Sequence, residues 1–355
     1  MTTNTATNMA KPVRDGEELD WDSLDHHLKE MIPDLQGAPE ISQFHGGNSN
    51  LTYRLNYANH DLVVRRPPFG TKAKSAHSMI REYRVMKSLK PVYPYVPDTL
   101  YHSDDESIIG SEFYVMRKVE GAVIKDKIPS QWQFSAADTR RFCIAFWEKL
   151  IELHQVDYMA AGLGDFGKPA GYAQRQVLGW NGRYERAMTT DVGEFADVRA
   201  WLEDHLPPDS ARHSVLHGDF RIDNVILDED DPCNILAVLD WEICALGDPL
   251  MDLGNALAYW TQADDPDYLQ ALVMQPSQAP GMLNRGEILD LYQRKTGIDT
   301  SDFTFYLVYG YWRNAVILQQ IYYRFFHGQT QDQRFKYFGR IVQSLGGHCQ
   351  RLIDD

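Results

Sequence analysis

Cysteine is scarce in this 355-residue chain, with four residues at positions 143, 233, 244 and 349 and no C-x-x-C pair among them. Thiols so scattered form neither a disulfide framework nor a metal-ligand spacing, and they point to a reducing compartment. Positive charge is also short: 35 Lys and Arg stand against 50 Asp and Glu, a formal net charge of −15. That balance argues against a nucleic-acid or anionic-membrane partner. No apolar run is clean enough to span a bilayer. The most apolar late stretch, 303–326, is interrupted by Arg313, Asn314, Gln319, Gln320 and Arg324, and reads as one or two buried helices. Residues 1–20 are polar and lack an apolar core, so they read as a disordered tail rather than a signal peptide, and a cytoplasmic location is expected. What remains is ordinary globular material, 43% hydrophobic and 24% charged, long enough for one large core or two lobes.

The chemistry concentrates in HGDFRIDNVILDEDDPCNILAVLDWE, residues 217–242. Val225–Leu227 and Ile235–Leu239 read as β-strands, and Asp228–Asn234 between them is dense in turn formers. Folding about Pro232 sets Asn224 at one open end opposite Asp240 at the other. Asp219 lies five residues before Asn224, in the loop entering the first strand. One carboxamide and two carboxylates then meet at the hairpin mouth. Mg²⁺ takes such hard oxygen donors sparingly from protein and completes its shell with water and phosphate. A further acid beside them can orient or deprotonate an attacking hydroxyl. Asp228 to Asp231 read as turn residues only.

The interval His217-x-Asp219…Asn224 is that of a kinase catalytic loop, and Asp240 falls where the metal-binding Asp after the next strand stands. The stretch resembles the aminoglycoside phosphotransferase and choline kinase branch of the protein-kinase-like fold, whose signature is close to H-G-D-x-x-x-x-N…(I/L)-D-W-E. The resemblance implies an α+β bilobal fold with a small β-rich N-lobe (21–117) and a larger helical C-lobe (118–355). It implies ATP and Mg²⁺, with Asp219 as the catalytic residue that orients or deprotonates the acceptor and Asn224 and Asp240 as metal ligands.

Upstream, residues 41–68 read as three strands. Their first turn holds Gly46, Gly47, Asn48, Ser49 and Asn50, where glycine backbone and the Ser49 hydroxyl could cradle phosphate; a plain hairpin turn explains the same residues equally well. The third strand ends at Arg65 and Arg66, where the family carries a lysine on the phosphates. Alternation with Val63 favours Arg65 as the inward residue. Glu82, on a helix predicted within 75–89, stands where that cation finds its ion-pair partner. By resemblance Met116 abuts the adenine, and backbone groups of Arg117 and Val119 make the hinge bonds.

In the C-lobe, 138–157 reads as a helix ending near a structural His154. The resemblance gives Asp252 the task of accepting backbone hydrogen bonds from the catalytic loop, which His217 also braces. The acceptor expected is a small-molecule hydroxyl. Residues 301–355 carry Arg313, Arg324, Arg334, Lys336 and Arg340 among aromatics, which favours an acceptor with an anionic or apolar part. The pattern looks most like phosphotransferases related to kinase domains fused to acyl-CoA dehydrogenases, implying a hydroxyacyl-CoA-like metabolite. The rivals are an aminoglycoside- or choline-type kinase and, from another class, a nucleotide-binding regulator that no longer transfers phosphate.

Overall fold

The computed structural model describes residues 10–45, 50–70 and 78–354. The chain divides into two units. The first holds the chain up to Ile124 with Met159–Leu163 and Asp223–Cys244; the second holds Lys125–Tyr158, Gly164–Ile222 and the chain from Ala245 onward.

In the first unit, helix α1 (Trp21–Met31) starts at Asp20, whose carboxylate accepts the Ser23 N–H at 3.0 Å. Leu24 and Leu28, one turn apart, carry its buried stripe. Strands β1 (Glu40–Phe44), β2 (Leu51–Asn56), β3 (Asp61–Arg66), β4 (Thr99–Ser103) and β5 (Phe113–Arg117) form an antiparallel sheet in the order β1-β2-β3-β5-β4. Along β2, Leu51, Tyr53 and Leu55 are buried and join α1, Leu62, Val64, Phe113 and Val115 in one core. That is the period-2 pattern of a half-covered sheet. Helix α2 (Met79–Leu89) packs on β4 and β5. A single turn, α3 (Glu106–Ile109), interrupts the chain between β4 and β5. Of the expected tail, residues 1–9 lie outside the described residues. Residues 10–20 are held in place: Lys11 and Gln43 exchange backbone bonds of 2.8 and 2.7 Å, and Arg14 N–H donates to the Gln43 side chain.

The hairpin strands Val225–Leu227 and Ile235–Val238 pair antiparallel with Val225 opposite Val238. They join the first unit through backbone bonds. Ala122 and Leu227 exchange bonds of 2.9 and 2.8 Å, and Val238 N–H donates to Tyr95 O at 2.6 Å. Gly121 makes this approach feasible. Its φ is +142°, and a Cβ there would stand 2.3 Å from Leu227 O. The hairpin, expected within 118–355, thus groups with the sheet rather than with the helices.

The second unit is mostly helical: α4 (Ala136–His154), α5 (Tyr172–Ala187), α6 (Ala196–Asp204), α7 (Pro249–Ala258), α8 (Asp267–Gln270), α9 (Arg285–Thr296), α10 (Thr304–Phe326) and α11 (Phe338–Asp354). Two short strands, Ser214–Leu216 and Ala245–Gly247, pair antiparallel between them. Ser135 and Asp138 close a capping box on α4, and Asn284 and Glu287 do so on α9. The apolar stretch 303–326 is one helix, α10. It crosses α7 so closely that a Cβ on Gly310 would lie 2.3 Å from Gly254 O. Among the described residues no helix is long and apolar enough to cross a membrane. None of the four cysteines forms a disulfide among the described residues.

One element of this unit predicts a pH response. His348 on α11 lies 2.9 Å from the Tyr268 hydroxyl, edge-on to Tyr311, with Arg285 and Arg351 nearby and Asp265 beyond. Burial, then the two guanidinium groups, pushes its imidazole down to about 4, while Asp265 pulls weakly the other way. A histidine held neutral in the fold contributes stability above its ordinary value of 6.5 and loses it as pH falls toward about 4. Thermal unfolding temperature should therefore decline across that window in the parent and decline less in His348→Gln. Identical slopes would remove His348 as the cause.

Candidate active site

The first unit gathers charge around one guanidinium. Arg65, near the end of β3, places Nη1 3.0 Å from Glu82 Oε1 on α2, and Nη2 2.8 Å from Asp240 Oδ1 and 3.3 Å from Glu242 Oε2. Arg66 points to the other face and donates to Pro67 O and Ile109 O, both at 3.0 Å. Alternation along β3 thus puts the two arginines on opposite faces. Burial works against the Arg65 charge, but Glu82, Tyr114 and Asp240 outweigh it and hold the guanidinium well above its ordinary value. Burial also pushes the Glu82 carboxyl up; Arg65 pulls it back, and Asp240 and Glu242 push it up again, for a net rise. Arg65 is shared by three carboxylates, those of Glu82, Asp240 and Glu242.

The hairpin mouth supplies the candidate ligands. Leu239 N–H donates to Asn224 O at 2.7 Å, so Asn224 stands opposite Leu239, and Asp240 is one residue beyond the expected partner position. Asp240 has φ +66°, a left-handed conformation rare outside glycine. The following Trp241 is buried edge-on to Tyr93 and donates to Val238 O at 2.9 Å, which turns the chain there. Among the described residues no group of three or more His, Cys, Asp or Glu could hold a metal unaided. Two hard oxygen donors, the Asn224 carboxamide and the Asp240 carboxylate, suit Mg²⁺, which needs little more from protein when phosphate is present. The residues therefore fit the ion that the family resemblance implies.

Asn50 adds a contact: its Nδ2 donates to Glu242 Oε2 at 2.9 Å, and its Oδ1 is buried with no hydrogen-bond partner among the described residues. Gly46, Gly47, Asn48 and Ser49 lie outside the described residues. Met116 is buried on β5 opposite Val63. Arg117 N–H is already given to Asp98 O at 2.8 Å, while Val119 N–H has no acceptor among the described residues. Of the two expected hinge positions, only Val119 keeps its donor open. Glu242 was not singled out in the sequence, although it closes the D-W-E run. Its partners Arg65 and Asn50 are 177 and 192 residues away, so no local period marks it.

The second unit holds the loop that carries Asp219. His217 and Gly218 donate backbone N–H groups to the two Asp252 carboxylate oxygens at 2.6 and 2.8 Å. Phe220 stacks on Phe146 with centroids 4.5 Å apart, and Ile222 N–H donates to the Gln275 side chain at 3.0 Å. Residues 217, 218, 220 and 222 are buried; Asp219 and Arg221 alternate outward and stay half-exposed. The loop is strapped down on both sides of a single presented carboxylate. Asp219 N–H is 3.2 Å from His217 Nδ1, which assigns the ring proton to Nε2 if that bond forms. Behind Asp252, His154 Nε2 stands 3.1 Å away and His154 Nδ1 lies 2.8 Å from the Tyr292 hydroxyl. His154 is buried within this support, and Ser214 donates to its carbonyl at 2.6 Å.

Residues 40–285 match the model of the phosphotransferase enzyme family. The chain belongs to that family. Acyl-CoA dehydrogenase family member 10 of Mus musculus is 35% identical over 338 residues, which cover 94% of this chain and 31% of that protein. The chain spans less than half the length of the curated relatives it matches. A solved structure from Ralstonia eutropha JMP134, provisionally described as an aminoglycoside phosphotransferase, aligns with a TM-score of 0.81 at 29% identity, covering 94% of this chain and 98% of that one. Choline kinase from Cryptosporidium parvum aligns at 0.62 and 11% identity over 94% and 96%, which speaks for the fold alone. These likenesses bear out the family resemblance and the α+β kinase-like fold. Among the five basic residues expected to favour an anionic acceptor, this phosphotransferase buries Arg313 alone; Arg324, Arg334, Lys336 and Arg340 are exposed.

Proposed function

We propose that this phosphotransferase moves the γ-phosphoryl group of ATP to a hydroxyl of a small molecule, with a hydroxyacyl thioester as the leading acceptor. The observation that carries the reading is the Arg65 cluster, a buried cation shared by Glu82 on α2 and by Asp240 and Glu242 after the hairpin. Support for a nucleotide comes from neighbours of the same fold solved with GDP or with AMP-PNP and hygromycin B. Support for the thioester comes from the acyl-CoA dehydrogenase family relatives.

In this reading Glu82 orients Arg65 toward the α- and β-phosphates, and the 46–50 loop covers them. Asn224 and Asp240 hold Mg²⁺, which when bound neutralises phosphate charge during transfer. Asp219 accepts the proton of the acceptor hydroxyl and aims its oxygen at phosphorus. Positioning and charge neutralisation, rather than a covalent intermediate, supply the rate. An inactive regulator is disfavoured because Asp219 is present beside Arg65, Glu82, Asn224 and Asp240; a chain that only binds Mg²⁺–ATP would have no use for Asp219. The test follows ³¹P signals with Mg²⁺–ATP and hydroxyacyl-CoA, amino-alcohol and aminoglycoside acceptors. Phosphorylated hydroxyacyl thioester, lost on adding EDTA, is the expected result. Transfer only to aminoglycosides would overturn the acceptor, and nucleotide binding with neither transfer nor hydrolysis would overturn the activity.

A further inference from the structure

Arg313 lies on α10, 7% exposed, with Nη1 fully buried and no hydrogen-bond partner among the described residues. No carboxylate pairs with it among the described residues. Its Cζ stands 5.4 Å from the Trp180 ring on α5, and Arg183 lies 4.3 Å from the same ring. Two residues after Asp219, Arg221 stands 5.1 Å from the ring of Tyr259, the residue that ends α7. Gly310, one turn before Arg313 on α10, packs so closely on Ala258 at the end of α7 that a Cβ there would lie 2.9 Å from the Ala258 Cβ, next to Tyr259; the Asp219 charge acts on both Tyr259 and Arg313. A buried guanidinium without an anionic partner is uncommon, because its desolvation goes unanswered. Its planar fork matches a carboxylate or carbonyl oxygen in two-point fashion.

We infer that Arg313 selects the acceptor, receiving an acyl oxygen of a hydroxylated acid while Asp219 addresses its hydroxyl. This rests on the phosphotransferase reading and adds which chemistry the acceptor must carry. The Arg313 guanidinium, buried with Nη1 unpartnered among the described residues, disfavours cationic acceptors such as amino sugars and quaternary amines. The acyl oxygen belongs either to a free carboxylate or to a thioester carbonyl.

The test compares the parent, Arg313→Met and Arg313→Lys on matched series of hydroxy acids, their coenzyme A thioesters, neutral diols and amino alcohols. Arg313→Met should raise KM for whichever acyl series is used by on the order of 10- to 100-fold. KM for ATP should hold, and Arg313→Lys should recover part of the loss. Because the removed charge is buried and unpaired, the unfolding temperature of Arg313→Met should stay level or rise. Carboxylate and thioester arms separate the two sources of the oxygen. Parent preference for amino alcohols or diols overturns the inference while leaving the phosphotransferase reading intact. So does an equal loss for every acceptor together with a lowered unfolding temperature. If the parent transfers phosphate to nothing, the reading beneath fails, and calorimetric titration with hydroxy acids decides Arg313 separately. Binding lost in Arg313→Met upholds its role, and binding retained overturns it.

Discussion

Asp219→Asn should lower turnover by on the order of 10²–10⁴-fold while leaving nucleotide affinity nearly unchanged. The substitution keeps size and removes the group that accepts the acceptor's proton. The loop around it should not move, because its anchors are other atoms: the His217 and Gly218 N–H groups on Asp252, Phe220 on Phe146, and Ile222 on Gln275. Asp219 is half-exposed and carries none of those contacts itself, so unfolding should be affected little. The measurement is kcat beside the dissociation constant for Mg²⁺–ATP. Loss of kcat alone marks a group acting in the transition state. Parent-like turnover would end the role given to Asp219, and an equal loss of nucleotide binding would make it a structural residue.

Much of this was legible because local chemistry and tertiary structure agree. The apolar runs 225–227 and 235–238 are strands, and the β3 alternation separates Arg65 from Arg66. What stayed hidden depends on partners far away in sequence. The one-residue offset at the hairpin mouth comes from the strand register, Val225 opposite Val238 with an irregularity between Ile226 and Leu227, which no local pattern marks. The docking of the hairpin on the first unit hangs on Gly121, a residue whose need for φ +142° is set by Leu227 rather than by its neighbours. Residues 10–20 look disordered by composition, yet β1 offers them an edge at Gln43. The basic C-terminal residues form no single patch, since composition cannot tell Arg313, wedged beside Trp180, from Arg334, whose side chain is 79% exposed and paired with Asp332.

Asp252→Asn should destabilise the second unit by about 3–5 kcal/mol, the range for removing one partner from a buried charged network. Asp252 is 1% exposed and accepts from His217 N–H and Gly218 N–H, with His154 Nε2 at 3.1 Å. Burial alone would raise its carboxyl; hydrogen bonding and charge from His154, then the His217 contacts, reverse that and hold it below the ordinary carboxylate range. A depressed carboxylate contributes stability at and above its unfolded value and loses it only as pH falls through the lower folded value. At neutral pH the full contribution is in play. Asparagine has the same shape, but its NH₂ must face a donor wherever its oxygen does not, leaving at least one buried N–H against another. Those N–H groups belong to the residues that set the course of the Asp219 loop, so activity should fall along with stability. Urea unfolding at pH 7, followed by tryptophan fluorescence, measures the first effect. A midpoint within error of the parent would mean the loop is held by something other than this carboxylate.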